Sequence, residues 1–116
     1  MLGVDIVSNE RIRRAVERFG ERFLKRVFTE EELKYCQGQK ALYACLSARW
    51  ACKEAVIKAF YQEFGILLHF REVEVLGNPG KPAKVRILRE GPKAKIVVSL
   101  SHEKDYSVAV ALVSKL

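Results

Sequence analysis

The stretch that decides the fold runs over residues 41–64 and reads ALYACLSARWACKEAVIKAFYQEF. It contains no glycine or proline and is rich in alanine and leucine, which predicts one long helix that begins at Lys40 or Ala41 and ends at Gly65. Small side chains share one face of this helix: Cys45, Ala48, Cys52, Ala55, Val56 and Ala59. Another side carries Leu46, Trp50, Ile57 and Tyr61. A helix that is apolar on two sides is usually covered twice, by layers of its own domain or by a neighbouring subunit.

A strand and three shorter helices are predicted before the long helix. Residues 2–7 form an apolar, β-branched run typical of a strand. Helices are predicted over residues 9–19 and 22–27. Thr29 and Glu32 have the spacing of a capping box, which would open a third helix.

After Gly65 the apolar residues alternate with a period of two, which indicates strands. The predicted strands cover residues 72–76, 83–88, 95–100 and 106–113. Turn residues separate them, most clearly at Asn78-Pro79-Gly80 and Gly91-Pro92. Helices followed by a meander of four strands, with one more strand at the N-terminus, predict an α+β fold with a mainly antiparallel sheet.

Length and composition indicate one domain over residues 1–116, because 49% apolar residues can build a core in a chain of this size. No run approaches the roughly 18 to 20 apolar residues of a membrane span. The N-terminus also lacks a secretion signal, so we expect a cytoplasmic protein without a membrane partner. Cys36, Cys45 and Cys52 match neither a zinc nor a redox spacing, and we expect reduced thiols packed in the core.

The charge balance points to a polyanionic partner. Twenty-one Lys and Arg residues against 14 Asp and Glu give a formal charge of +7. Nucleic acid, a phosphorylated cofactor and an acidic protein all qualify. Nucleic acid is the weaker alternative, because the cations are not interleaved with a row of aromatic residues on one strand.

Two carboxylates stand in apolar surroundings. Asp5 interrupts the first strand, where it is either a solvent-facing edge residue or a functional acid. Glu54 and Lys58 have the spacing of an ordinary helical ion pair, yet Glu54 projects near Trp50 and Ile57. Two hard oxygen ligands on separate elements form the usual minimal magnesium site, completed by waters and substrate phosphates.

Cations and hydroxyl groups offer contacts for a phosphorylated ligand. Arg49, Lys53 and Lys58 follow one another along the long helix and suit a multiply charged phosphate group. Ser99, Ser101 and His102 close a late strand. Each group also has a plain structural interpretation, because helix cations and serine-rich strand ends are common.

Five segments, taken together, resemble the holo-acyl-carrier-protein synthase family of phosphopantetheinyl transferases. They are residues 3–7 (GVDIV), 28–33 (FTEEEL), 49–59 (RWACKEAVIKA), 80–82 (GKP) and 98–103 (VSLSHE). The resemblance runs over nearly the whole chain and implies the 4′-phosphopantetheinyl transferase fold. It also implies transfer of the 4′-phosphopantetheine arm of coenzyme A to a serine of apo acyl carrier protein, releasing adenosine 3′,5′-bisphosphate, in fatty acid biosynthesis.

The resemblance gives the candidate residues their expected roles. Asp5 and Glu54 would hold Mg²⁺ against the coenzyme A pyrophosphate, and Lys58 would neutralise phosphate charge as the carrier serine attacks the β-phosphorus in line. The general base stays open among Glu54, Asp5 and a metal-polarised water. The expected coenzyme A contacts are Lys40, Arg49, Lys53, Lys58, Gly80, Lys81, Pro82, Ser101 and His102.

The resemblance also implies an assembly and a partner. Short members of this family are homotrimers with active sites between subunits. Arg11, Arg14 and Arg18 lie three and four residues apart on the first helix and would form a docking stripe for the acidic carrier protein. Two alternatives remain at this point: the stripe is merely a solvated basic face, or the chain is a non-catalytic scaffold that binds an acidic protein.

Overall fold

The computed structural model describes residues 1–77 and 81–116. The elements in chain order are β1 Leu2–Ser8, α1 Asn9–Phe19, α2 Glu21–Val27, α3 Glu30–Gln37, α4 Leu42–Phe64, a 3₁₀ turn Phe70–Glu72, β2 Val73–Leu76, β3 Lys84–Ile87, β4 Ala94–His102 and β5 Tyr106–Lys115. This order confirms the predicted α+β class. The predicted Asn78-Pro79-Gly80 turn lies outside the described residues.

The helix ends follow the local sequence signals. The Ser8 side chain accepts a hydrogen bond from the backbone N–H of Arg11 at the start of α1. In α3 the capping box is complete: the Glu32 N–H donates to Thr29 Oγ1 over 3.3 Å, and the Thr29 N–H donates to Glu32 Oε1 over 2.8 Å. Gly65 ends α4 with a φ of 70°, a left-handed conformation that glycine adopts without strain.

The strands form two antiparallel sheets rather than one meander. One sheet has the order β1-β5-β4, and the other pairs β2 with β3. The prediction of a single sheet was wrong because the strands after α4 pair along their whole lengths in separate hairpins. All four residues of β3 pair with β2, and all nine residues of β4 pair with β5.

The core lies between α4 and one face of the three-stranded sheet. Cys52, Ala55, Val56 and Ala59 are fully buried, which confirms that the small-residue face packs inward. The approach of β1 to α4 is especially close at Gly3. A Cβ atom added there would lie 2.0 Å from the Ala55 carbonyl oxygen, so only glycine fits.

The second apolar side of α4 is mostly covered by the same chain. Leu46 is only 1% exposed, and the Trp50 ring stacks on Phe70 with centroids 5.8 Å apart. Tyr61, by contrast, is exposed. This side of α4 is therefore packed mainly against residues of the same chain. It gives little support for a subunit interface.

Two of the three cysteines are joined, which corrects the prediction of reduced thiols. Cys36 and Cys45 form a disulfide, and Cys52 is a free, buried thiol. The link forms because the last turn of α3 lies beside the first turn of α4, with the two Cα atoms 5.5 Å apart, a separation that a disulfide spans. All three sulfur-bearing side chains are buried, as expected.

Within residues 1–77 and 81–116, no helix combines the length and the apolar character that crossing a membrane requires.

Candidate active site

Asp5 points from β1 towards α4. The strand alternation turns Val4 and Ile6 outward, whereas the Asp5 side chain is only 13% exposed. Its Oδ1 atom lies 2.9 Å from Lys58 Nζ. Its Oδ2 atom is buried and has no hydrogen-bond partner in the described part of the chain. The interpretation of Asp5 as a solvent-facing edge residue is therefore wrong.

Glu54 faces the same place from α4. Burial raises the pKa of its carboxyl group, and the negative charge of Asp5 raises that pKa further. The positive charges of Lys58 and Arg11 act in the opposite direction. Lys58 lies one helical turn beyond Glu54, but its ammonium donates to Asp5 Oδ1 and, over 3.3 Å, to the Val4 carbonyl. The structure thus brings the predicted residues Asp5, Glu54 and Lys58 together.

The donors of this site suit a divalent cation. Asp5 has a buried carboxylate oxygen without a partner among the described residues, and burial together with the charge of Asp5 raises the pKa of Glu54. A positive ion would stabilise both carboxylates. Oxygen donors are those that Mg²⁺ prefers. Within the described residues no group of three or more His, Cys, Asp and Glu side chains is placed to hold a metal. Further ligands of a bound ion would then be waters or substrate phosphates.

A second set of predicted residues lines a cavity of about 490 Å³. Arg49 comes from α4, Lys81 and Pro82 come from the chain just before β3, and His102 ends β4. Tyr35 of α3 and Ser99 of β4 complete the polar lining. Residues from four separate parts of the chain therefore meet at this cavity, and the family resemblance assigns several of them, such as Arg49 and His102, to coenzyme A. We refer to it below as the nucleotide cavity.

Arg49 is the best-defined cation of this cavity. Its Cζ atom lies 4.1 Å from the centroid of the Tyr35 ring, and Nη1 donates to Cys45 Sγ over 3.4 Å. Burial lowers the pKa of the guanidinium group from its ordinary value, although arginine remains charged. Its Nε atom is buried without a partner in the part of the chain described. An unsatisfied guanidinium N–H in a polar cavity suits a phosphate oxygen.

The structure does not bring Lys53 to either site. Lys53 is completely buried, with Nζ 2.7 Å from Glu32 Oε1, and it donates to the carbonyls of Phe70 and Val73. The predicted phosphate contact is inconsistent with this environment, because the side chain lies on the inner side of α4 and its ammonium group joins α3, α4 and β2.

Two other predicted contacts are placed differently. Lys40 is exposed and lines a separate cavity with Tyr43 and Lys104. Ser101 lies on the outer face of the sheet, where its register partner is Val108. Gly80 lies outside the described residues.

Tyr35 is a site residue that sequence reasoning missed. The capping box placed α3 correctly, and Tyr35 follows Glu32 by one turn, so it was certain to lie on a known helix. The pattern of a single short helix could not show which side would face Arg49, because that contact depends on how α3 packs against α4.

The predicted arginine stripe is exposed along α1. Arg11, Arg14 and Arg18 are all solvent-accessible, and Arg11 Cζ lies 5.8 Å from the centroid of the Trp50 ring. Arg11 also acts on the pKa of Glu54, so the stripe begins beside the carboxylate pair. Arg14 is partly neutralised, since its Nε atom lies 3.4 Å from Glu10 Oε1.

Known proteins identify the class that this fold and site define. The family model of the 4′-phosphopantetheinyl transferase superfamily, ACPS, matches residues 1–111. The chain therefore belongs to the 4′-phosphopantetheinyl transferase superfamily. This membership confirms the resemblance drawn from the five sequence segments, and with it the transferase class and the fold.

Relatives within the superfamily are more specific. The holo-[acyl-carrier-protein] synthase of Aquifex aeolicus is 57% identical over 120 aligned positions, which cover 99% of this chain and 98% of the relative. The enzyme of the same name from Leptospira biflexa is 45% identical, covering 98% and 95%. The Chronobacterium ammoniagenes ACPS–CoA complex superposes with a TM-score of 0.86 at 28% identity, covering 100% of this chain and 97% of that one. The Helicobacter pylori synthase in complex with coenzyme A gives 0.83 at 28% identity, covering 98% and 100%.

Proposed function

We propose that this chain is a holo-acyl-carrier-protein synthase, which transfers the 4′-phosphopantetheine arm of coenzyme A to a serine hydroxyl of apo acyl carrier protein and uses Mg²⁺ held by Asp5 and Glu54. The observation that carries the metal assignment is Asp5 Oδ2, which is buried beside a second carboxylate and has no hydrogen-bond partner among residues 1–77 and 81–116. Full-length similarity to synthases of this name supports the reaction.

The chain's own residues bind and orient the phosphates. Lys58, with its side chain half exposed beside Asp5, can place its ammonium group on a phosphate oxygen without leaving the site. Arg49 offers a guanidinium fork to a phosphate at the nucleotide end, between Tyr35 and the Lys81-Pro82 segment. A bound Mg²⁺ supplies positive charge that polarises the pyrophosphate oxygens. Catalysis then consists mainly of positioning.

Asp5 and Glu54 are the chain's own candidates for accepting the serine proton. Glu54 is the better placed of the two in its free form, because burial and Asp5 raise its pKa above that of an ordinary glutamate. Asp5 Oδ1 is already bonded to Lys58.

A homotrimer is also part of this proposal, and its support comes from the sheet. The outer face of the three-stranded sheet exposes large apolar side chains from every strand: Leu2, Val4 and Ile6 of β1, Val110 and Leu112 of β5, and Val97 of β4. The register places Leu2, Leu112 and Val97 in one row across the sheet. An apolar surface that continues over three strands needs a cover.

In such a trimer one chain would supply the carboxylate pair and a neighbour the late segment with His102. This arrangement is consistent with the two groups of site residues lining separate regions of a single chain. Ser99 of the nucleotide cavity is the register partner of Val110 on the apolar face, so that cavity adjoins the surface where a neighbour would pack.

The acidic carrier protein would dock on the arginine stripe of α1. Arg11, Arg14 and Arg18 are exposed, and the stripe starts next to Glu54, so a carrier bound there would present its serine to the metal site. Charge complementarity of this kind mainly raises the rate of encounter and is weakened by salt.

The test is to incubate the protein with coenzyme A, Mg²⁺ and apo acyl carrier protein, and to follow the carrier by mass spectrometry. A phosphopantetheine-sized gain on the carrier is expected. Glu54→Gln should remove nearly all turnover with unchanged circular dichroism, whereas Glu21→Gln, an exposed glutamate that pairs with Lys25 on α2, should behave as wild type. If several carriers show no mass gain, the proposed reaction is wrong; if Glu54→Gln stays active, Glu54 is not a metal ligand.

A further inference from the structure

A disulfide lies directly beside the cavity that Arg49 lines. Cys36 is in the last turn of α3 and Cys45 is in the first turn of α4, and the bond closes over the short connection that contains Gly38. Both cysteines are buried, at 0% and 9% exposure. The bond therefore fixes the distance between two helices at the edge of the nucleotide cavity.

Arg49 contacts residues of both helices that this disulfide joins. On one side its guanidinium group lies over the ring of Tyr35, the residue next to Cys36. On the other side Nη1 donates to the sulfur of Cys45 itself, one helical turn earlier in α4. The two contacts that orient the guanidinium group thus come from the two helices that the disulfide joins.

We propose that the Cys36–Cys45 disulfide positions Arg49 for a phosphate group in the nucleotide cavity, so that reduction of the bond weakens nucleotide binding. The inference rests on the proposed function, because it assigns that phosphate to coenzyme A. Reduction by a dithiol converts the disulfide to two thiols while the dithiol becomes a cyclic disulfide. Without the bond, α3 with Tyr35 and α4 with Cys45 are linked only by the four-residue connection 38–41 and by non-covalent packing.

Cys52 provides an internal control for thiol chemistry. It lies two turns beyond Cys45 on α4, is fully buried and is not joined to another cysteine. Burial raises the pKa of its thiol to about 12, so it stays protonated and unreactive at neutral pH. A response to reductant therefore reports on the Cys36–Cys45 pair.

The test measures binding of adenosine 3′,5′-bisphosphate by calorimetry, because this ligand has the nucleotide phosphates but no thiol that could itself exchange with the disulfide. Oxidised protein should bind about five- to tenfold more tightly than protein treated with dithiothreitol, the loss expected when one charge-assisted contact is partly misplaced. Cys36→Ser should match the reduced protein and ignore reductant. Cys52→Ser should respond like wild type.

Arg49→Lys separates positioning from general stabilisation. If the disulfide acts through Arg49, this variant binds weakly in both redox states and its affinity no longer changes with reductant. A response that persists in Arg49→Lys, equal affinities of oxidised and reduced wild type, or three titratable thiols in freshly unfolded protein would each overturn the inference. Absence of nucleotide binding in both redox states would instead count against the proposed function as well.

Discussion

Gly3→Ala should disable the enzyme through a residue that carries no functional group. A Cβ atom at this position would lie 2.0 Å from the Ala55 carbonyl oxygen and 3.2 Å from Ala59 Cβ, whereas real Cβ contacts are essentially never shorter than 3.0 Å. The obstructing atom is backbone of α4, so it cannot swing aside. The strand and the helix must separate by about 1 Å, an overpacking that typically costs about 1–3 kcal/mol.

The separation matters because Asp5 and Glu54 stand on the two elements that would move apart. Asp5 is two residues beyond Gly3 on the same side of β1, and Glu54 precedes Ala55 on α4. A displacement of about 1 Å at a catalytic site can lower the rate about a hundredfold. We therefore expect kcat/KM to fall by about two orders of magnitude, and the Mg²⁺ concentration for half-maximal activity to rise.

The assay is transfer to apo acyl carrier protein at several Mg²⁺ concentrations, with the folded fraction measured by circular dichroism. Gly91→Ala is the matched control, because no atom of the described residues lies within 4 Å of a Cβ atom built at Gly91. It should leave activity unchanged. A folded Gly3→Ala protein with wild-type activity and Mg²⁺ dependence would refute the reasoning that this contact sets the spacing of the carboxylate pair.

Three further predictions concern the core, the docking stripe and the sheet face. Lys53→Met leaves Glu32 as an uncompensated buried charge and should lower the free energy of unfolding by about 3–5 kcal/mol in urea titrations. The double variant Lys53→Met/Glu32→Gln should recover part of this loss. Equal losses in the single and the double variant would contradict this account. Arg14→Glu should raise the KM for carrier protein far more than the KM for coenzyme A, and equal effects would count against docking on α1. Val4→Glu should lower the molar mass measured by light scattering from that of a trimer to that of a monomer. Leu67→Glu, at a similarly exposed residue outside the sheet, should leave the mass unchanged. An unchanged mass of Val4→Glu would exclude the sheet face as the interface.

The elements themselves could be predicted because their signals are local. Capping residues, a glycine at the end of α4 and the period of the apolar residues each act within one or two turns of the chain, and the observed bounds follow them. The pairing of strands could not be predicted in the same way. It depends on which edges meet after folding, and nothing within residues 84–87 distinguishes a partner in β2 from one in β4.

The candidate site shows the same division between local and long-range information. Asp5 and Glu54 could be found because a carboxylate in an apolar stretch is conspicuous from the sequence alone. Lys53 was misassigned because it follows Arg49, which lines a cavity, by one turn of the same helix. Only the packing of α3 and β2 shows that its charge is already compensated by Glu32 and two carbonyl groups.

The buried pair of Lys53 and Glu32 connects the two halves of the proposed site. Glu32 Oε2 accepts from the N–H of Val75 in β2, and Lys53 donates to the carbonyls of Phe70 and Val73, the first residues of the 3₁₀ turn and of β2. The chain that follows β2 carries Lys81 and Pro82 to the cavity of Arg49, which lies one turn before Lys53 on α4. Where β1 packs against α4, the absence of a side chain at Gly3 sets the distance between the strand and the helix. This distance also fixes how far Asp5 lies from α4. The helix α4 thus places Glu54 and Lys58 beside Asp5 and also places Arg49 in its cavity, so the segment 49–59 contains residues of both parts of the proposed site.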